Sequence, residues 1–182
     1  KIIGCYKALA KIGFQENSNK QDKIKPIKKA LAFSQNINIS KLFKDEFLNV
    51  VNDYNKNKKN EPEDKVNLNV EIEHVDGTFN ADKRTERLNW LKKDTSDETC
   101  RVLSNVRCLS EGVDVPSLDA IIFLHPRKSQ VDVVQSVGRV MRKAPNKKLG
   151  YVILPITVAP GVSAEKAIHN NEKYSVVWQV LN

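Results

Sequence analysis

DAIIFLHPRKSQVDVVQSVGRVMR, residues 119–142, reads as a strand, a proline-bearing loop and a helix in succession. Ala120 to Leu124 form an unbroken apolar run, which is the mark of a strand covered on both faces rather than one. The residues after Pro126 then read as a helix over roughly 129–142. Working outward, the same alternation recurs. Residues 29–34 (KALAFS) read as a buried strand. The segment 68–75 (LNVEIEHV), residues 101–104 and the run 150–154 (GYVIL) read as three more. Helices are expected at 2–13, from an N-cap at Ser40 with Leu42, Phe43, Phe47, Val50, Val51 and Tyr54 on its apolar face, and at 81–93 capped by Asn80 after the Asp76-Gly77 turn. A last amphipathic segment spans about 163–181 and carries Val176, Val177, Trp178 and Leu181. Strands alternating with helices, the strands mostly apolar, predict an α/β fold with a mostly parallel sheet and helices on both faces.

Composition narrows the class. The 182 residues carry a formal charge of +8, with the excess concentrated in residues 1–65. A basic balance suits a polyanionic partner, and it equally suits a lysine-rich solvated face. Cys5, Cys100 and Cys108 lack C-x-x-C spacing; they read as reduced thiols in a cytoplasmic protein rather than as a disulfide framework or metal site. His74, His125 and His169 are scattered without metal spacing, so no metal ligand set is expected. No apolar run approaches the ~20 residues of a membrane span. Residues 55–65 (NKNKKNEPEDK) are polar, low in complexity and expected to be an exposed insertion. Trp90 and Trp178 read as packing residues.

Two strings carry candidate chemistry. Gln135-Ser136-Val137-Gly138-Arg139-Val140-Met141-Arg142 is a Q-x-x-G-R-x-x-R pattern on the expected helix. Gln135, Arg139 and Arg142 lie three or four residues apart, so they share one helical face. Two permanently charged guanidiniums with a planar donor fork suit phosphate oxygens, and Gly138 permits close approach. The second string, Ser110-Glu111-Gly112-Val113-Asp114-Val115-Pro116, follows the strand ending near Ser104-Asn105. Taken alone it is as readily a surface turn. Gly112 allows a sharp turn, and Asp114 offers a carboxylate to a ribose hydroxyl or a neighbouring arginine.

The strings KALAFSQNI, DGTFNADKR, LSNVRCLSEGVDVPSLDAIIF and QSVGRVMR, in that order, resemble motifs IV to VI of superfamily-2 helicases. The flanks GCYKALAK and GVSAEKAIHNNEKYSVVWQVLN resemble the helicase region of type ISP single-polypeptide restriction-modification enzymes. The resemblance implies a second RecA-like domain over residues 27–158, preceded by a helix and linker at 1–26 and followed by a helical extension at 159–182. It implies ATP with Mg²⁺, held mainly by an N-terminal RecA-like domain of the same polypeptide, and DNA, double-stranded, as the track. On the matching positions it implies a catalytic arginine-finger role for Arg139 and Arg142, with Gln135 beside the nucleotide. Gly112, Asp114 and Gly138 fall at the nucleotide edge. Ser34, Gln35, Gly77, Thr78, Ser104 and Asn105 fall where the family touches the nucleic-acid backbone. Those arginines are expected on the same sheet edge as Gly112 and Asp114. The alternative is a non-catalytic nucleic-acid-binding module that keeps the fold, which has little use for a two-arginine face. A small-ligand α/β domain would need a Gly-rich loop after the first strand, and FSQNINIS has none. The sequence contains no G-x-x-x-x-G-K-[ST] loop, so ATP hydrolysis by this chain alone is not expected.

Overall fold

The computed structural model describes residues 1–13, 25–57, 68–106, 115, 118–145, 147 and 149–181. Five strands form one sheet: β1 (Lys29–Phe33), β2 (Asn69–Val75), β3 (Thr99–Asn105), β4 (Ala120–Phe123) and β5 (Tyr151–Ile153). Their order is β2-β3-β1-β4-β5 and every pairing is parallel. The helices are α1 (Ile2–Ala10), α2 (Ile37–Asn57), α3 (Ala81–Lys92), α4 (Gln130–Val140), α5 (Ala164–His169) and α6 (Ser175–Leu181). This is the α/β architecture with helices on both faces that the alternation implies, and the fold is RecA-like. Among the described residues, no helix is long and apolar enough to cross a membrane.

The pleat sorts the core into two layers. Ala30, Ala32, Cys100, Val102, Ala120 and Ile122 point to one face, where α1 contributes Cys5, Tyr6 and Leu9 and α2 contributes Phe43, Phe47 and Val51. Leu31, Phe33, Leu103, Ile121 and Phe123 point to the other, against Leu91 of α3, Val133 and Val140 of α4, and Tyr174 and Val177 at the C-terminal end. Successive residues of a strand must face opposite ways, and strands covered twice therefore read as continuous apolar runs. Phe33 and Phe123, neighbours across β1 and β4, stack with centroids 5.6 Å apart. Asp119 fixes the amino end of the sheet, where its Oδ2 accepts from the backbone N–H groups of Lys28 and Lys29, each at 3.1 Å.

Of the boundaries that differ from the sequence expectation, three bear on the core and the chain's organisation. Helix α2 starts at Ile37, not after Ser40, because Asn36 Oδ1 already accepts from the Ile39 N–H at 2.9 Å. Ser40 is thereby inside the helix and fully buried, while Leu42 is 54% exposed. The segment 163–181 is not one helix; it breaks at Asn170 and Asn171 into α5, a 3-10 turn over Glu172–Tyr174, and α6. Tyr174 anchors that turn by donating its hydroxyl to the Phe123 carbonyl at 3.1 Å. Of the polar stretch 55–65, residues 55–57 end α2 and 58–65 lie outside the described residues. Asn80 caps α3 as the sequence implied, accepting from the Lys83 N–H at 2.9 Å.

Gly150 opens β5 hard against the end of α4, and a Cβ there would fall inside the van der Waals shell of the Val140 carbonyl. Gly4 in α1 has open space around it. Gly150→Ala is therefore expected to lower the unfolding free energy by roughly 1–3 kcal/mol, whereas Gly4→Ala raises it by roughly 0.5–1 kcal/mol. Urea unfolding of the two variants measures both signs; a neutral Gly150→Ala would mean that β5 does not press on α4.

Candidate functional site

Because the strands are parallel, their carboxyl ends share one edge, and in open α/β sheets ligands gather there. Three of the candidate segments, and the loop after β4, end at it. Ser34 and Gln35 follow β1, Gly77 and Thr78 follow β2, Ser104 and Asn105 close β3, and Leu124 to Lys128 follow β4. The edge divides the six expected nucleic-acid residues in two. Gln35, Gly77 and Thr78 are exposed. Ser34, Ser104 and Asn105 are 2%, 0% and 0% exposed, so their side chains present nothing to a backbone running outside. Pleat parity is the cause. Ser34 and Ser104 continue the alternation of Ala32 and Val102, which face the α1/α2 layer, and their hydroxyls meet each other at 3.2 Å under α2. Asn105 turns its amide back to donate to the Ala32 carbonyl at 3.0 Å.

At the Gly77 turn, Asp76 Oδ1 accepts from the Thr78 N–H at 2.8 Å and from its hydroxyl at 2.6 Å. His74 Nε2 lies 2.7 Å from Asp76 Oδ2. Burial pushes this carboxyl up, but the hydrogen bonds from Thr78 and His74 outweigh it and hold Asp76 down at about 2.

A second feature of this edge went unread in the sequence. His125 sits in a field of cations: burial first, then the charges of Arg127, Lys1, Lys128 and Lys173, hold its imidazolium below the usual range. Beside it a cleft of about 360 Å³ is lined by Gln35, Ile39, Leu42, Phe43, Leu124 and His125. The signal was present as HPRKS, three basic or titratable side chains within four residues between a strand and a helix. Such a loop can only sit at the carboxyl edge, where positive charge favours a polyanion.

The arginine string spans the second half of α4 and the turn beyond it: the helix ends at Val140 rather than at the expected 142, Met141 is its C-cap, and Arg142 follows in the turn. Ser129 caps the helix, accepting from the Asp132 N–H at 3.2 Å, and Val133, Ser136 and Val140 bury its inner face. Gln135, Gly138 and Arg142 are exposed along the outer face, and Arg139 is half-buried beside them. Burial, then the nearby Arg142 charge, holds the Arg139 guanidinium below its usual value; an anion seated between the two would reverse that direction. The outer face also exposes Val131, Val134 and Met141, at 64%, 55% and 65%. Helix α4 runs back along the sheet for roughly 16 Å, so Arg139 and Arg142 lie toward the amino edge, where Lys147 feels the Asp119 charge. Gly112 and Asp114 lie outside the described residues; their neighbour Val115 is buried in the same layer as Val133 and Val140. Among the described residues no group of His, Cys, Asp or Glu could hold a metal ion.

The lowered Asp76 has a measurable consequence. Its folded value of about 2 lies below the ~3.9 of an unfolded aspartate, so its contribution is complete above about pH 4 and is lost as the pH falls toward 2. Unfolding followed against pH is expected to show the parent chain losing roughly 2 kcal/mol more than Asp76→Asn across that window. Parallel acid profiles for the two would contradict the hydrogen-bonded carboxylate.

The helicase conserved C-terminal domain family matches residues 11–144. A solved structure of the ATP-dependent type ISP restriction-modification enzyme LlaBIII bound to DNA is similar over 99% of this chain, with 40% identity and a TM-score of 0.75, the match occupying 11% of that enzyme's chain. Putative helicase 22 of Sulfolobus islandicus filamentous virus (isolate Iceland/Hveragerdi) is 35% identical over 79 residues, which are 43% of this chain and 13% of that protein. Probable helicase A859L of African swine fever virus (isolate Pig/Kenya/KEN-50/1950) is 40% identical over 57 residues, 31% of this chain and 7% of that protein. The chain thus spans a small part of the length of each relative. With the family match covering well over half of its residues, the chain belongs to the helicase conserved C-terminal domain family, and within it resembles the helicase region of the type ISP restriction-modification enzymes.

Proposed function

We propose that this chain is the second motor domain of an ATP-dependent DNA helicase or translocase, acting within a restriction enzyme, with residues 27–158 as the motor unit and 159–182 as its helical extension. The observation that carries the reading is the outer face of α4. It combines Gln135, Arg139 and Arg142 with exposed Val131, Val134 and Met141. A face both cationic and apolar is poorly suited to water and well suited to a cleft against a second domain that brings an anion. ATP with Mg²⁺, held there by the phosphate loop of that other domain, supplies the transferable phosphoryl group. The chemistry of the donor set fits: two guanidiniums, one on the last turn of α4 and one just past its end, can oppose charge on phosphate oxygens, and Gly112, Asp114 and Gly138 complete the proposed nucleotide edge. The carboxyl edge carries the other half of the task. Gln35 beside the loop that carries Arg127 and Lys128, with Gly77 and Thr78 farther along the same edge, suits sequence-indifferent contact with a double-stranded DNA backbone.

The test is kinetic, in the motor that contains both halves. Arg139→Ala and Arg142→Ala are expected to lower kcat for DNA-stimulated ATP hydrolysis by about 10³-fold or more, with little change in ATP affinity, because a finger acts chiefly on charge that develops in the transition state. Lysine at either position is expected to rescue poorly, since an ammonium lacks the planar fork. Near-normal turnover in both alanine variants would overturn the finger assignment and favour a binding module that merely keeps the fold.

A further inference from the structure

A buried chain of hydrogen bonds joins the two exposed tips of the carboxyl edge. Ser34 Oγ lies 3.2 Å from Ser104 Oγ, Ser104 Oγ 2.6 Å from Ser40 Oγ, and Ser40 Oγ 2.7 Å from His74 Nδ1. His74 Nε2 lies 2.7 Å from Asp76 Oδ2, and Asp76 Oδ1 takes both the N–H and the hydroxyl of Thr78. The five linking residues, Ser34, Ser40, His74, Asp76 and Ser104, are all buried. We infer that Ser40, His74 and Asp76 are positioning residues that lock the Gln35 tip and the Gly77–Thr78 tip into one geometry for gripping a nucleic-acid backbone, an inference that rests on the nucleic-acid reading above.

The register builds the chain. Ser104 pairs with His74 across β3 and β2, and with Ala32 across β3 and β1. The pleat sends Ser104, His74 and Ser34 to the α1/α2 face. Ala32 leaves room, and the early start of α2 drops Ser40 into the gap. Asp76 as a carboxylate only accepts, so His74 donates to it from Nε2. At the Ser40–His74, Ser40–Ser104 and Ser34–Ser104 links either atom can donate. Every link is buried, and removing one leaves its neighbour's polar atom without its partner. Phe79 closes the outer side, its ring edge-to-face with His74 at 5.9 Å. Ser40, His74 and Asp76 have the bonding order of a hydrolase triad, but Ser40 is fully buried and its oxygen already serves Ser104, so no substrate carbonyl can reach it. The group holds loops in place.

The test uses this chain, with a duplex DNA of arbitrary sequence at low salt as the probe. Ser40→Ala cuts the chain at its middle, at a buried side chain that belongs to neither exposed tip; Ser104→Ala replaces it should the first variant fail to fold. Either is expected to speed exchange of the Thr78 amide by about tenfold while amides in β1 and β4 keep their protection, a local opening rather than global loosening. Duplex affinity is expected to fall several-fold, and Ser40→Ala added to Thr78→Ala is expected to cost nothing further, the non-additivity of residues acting as one unit. Unchanged Thr78 exchange overturns the lock, whatever the DNA result. Faster exchange with full affinity, in a chain where Thr78→Ala does weaken binding, overturns the positioning role. Faster exchange with Thr78→Ala itself neutral toward DNA supports the lock and removes the nucleic-acid reading instead.

Discussion

The pairing of β1 on both of its sides is the constraint on which the rest depends. Lys29 to Phe33 lie between β3 and β4 in parallel register, with all five residues buried. Parallel strands cannot be joined by tight turns, so every connection must leave the sheet and return as a crossover. That requirement puts α2, α3 and α4 where they are and sends every strand's carboxyl end to one edge. It also fixes parity. Small Ala30 and Ala32 admit α1 and α2 on one face, and Leu31 and Phe33 fill the other. A one-residue slip of β1 would exchange these layers and turn Ser34 into the wrong one.

From that frame follow two working surfaces at different ends of the same layers. The carboxyl edge offers polar tips and cations, and the outer face of α4 offers paired guanidiniums nearer the amino edge. In the proposed motor the two are read by different partners, a nucleic-acid backbone and a nucleotide-bearing domain. The rigid link between them is β4 with α4. Leu124 and His125 end the strand at one surface, and seventeen residues later Arg142 stands at the other. The crossover packs on itself through Val133, Val140 and the close approach of Gly150, so the two surfaces share one packed layer.

The legible part of this molecule was the part written in local period. The apolar run of β4, the Asn80 cap and the outward face of Gln135 and Arg142 each depend on residues within about two helical turns. What stayed hidden depended on register between strands distant in sequence. Ser34, Ser104 and Asn105 look like free polar termini until β3 is paired with β1, at which point parity buries Ser34 and Ser104 and the Ala32 carbonyl takes the Asn105 amide. Ser40 resembles a cap because serine favours caps, yet Asn36 does that work and leaves Ser40 to a partner thirty-four residues away. His74 and Asp76 gave no signal of their own, since an alternating strand and a D-G turn account for both. The break at Asn170-Asn171 was masked by the amphipathic period on either side of it.

The central claim is that the α4 face closes on a nucleotide held by another domain. A structure of the whole motor with duplex DNA and a non-hydrolysable ATP analogue tests it most directly. The account predicts the Arg139 and Arg142 guanidiniums within hydrogen-bonding distance of the triphosphate, Val131 and Val134 buried against the domain that carries the phosphate loop, and Gln35 and Thr78 on DNA phosphates. A triphosphate bound elsewhere, with the outer face of α4 still open to solvent, would contradict it.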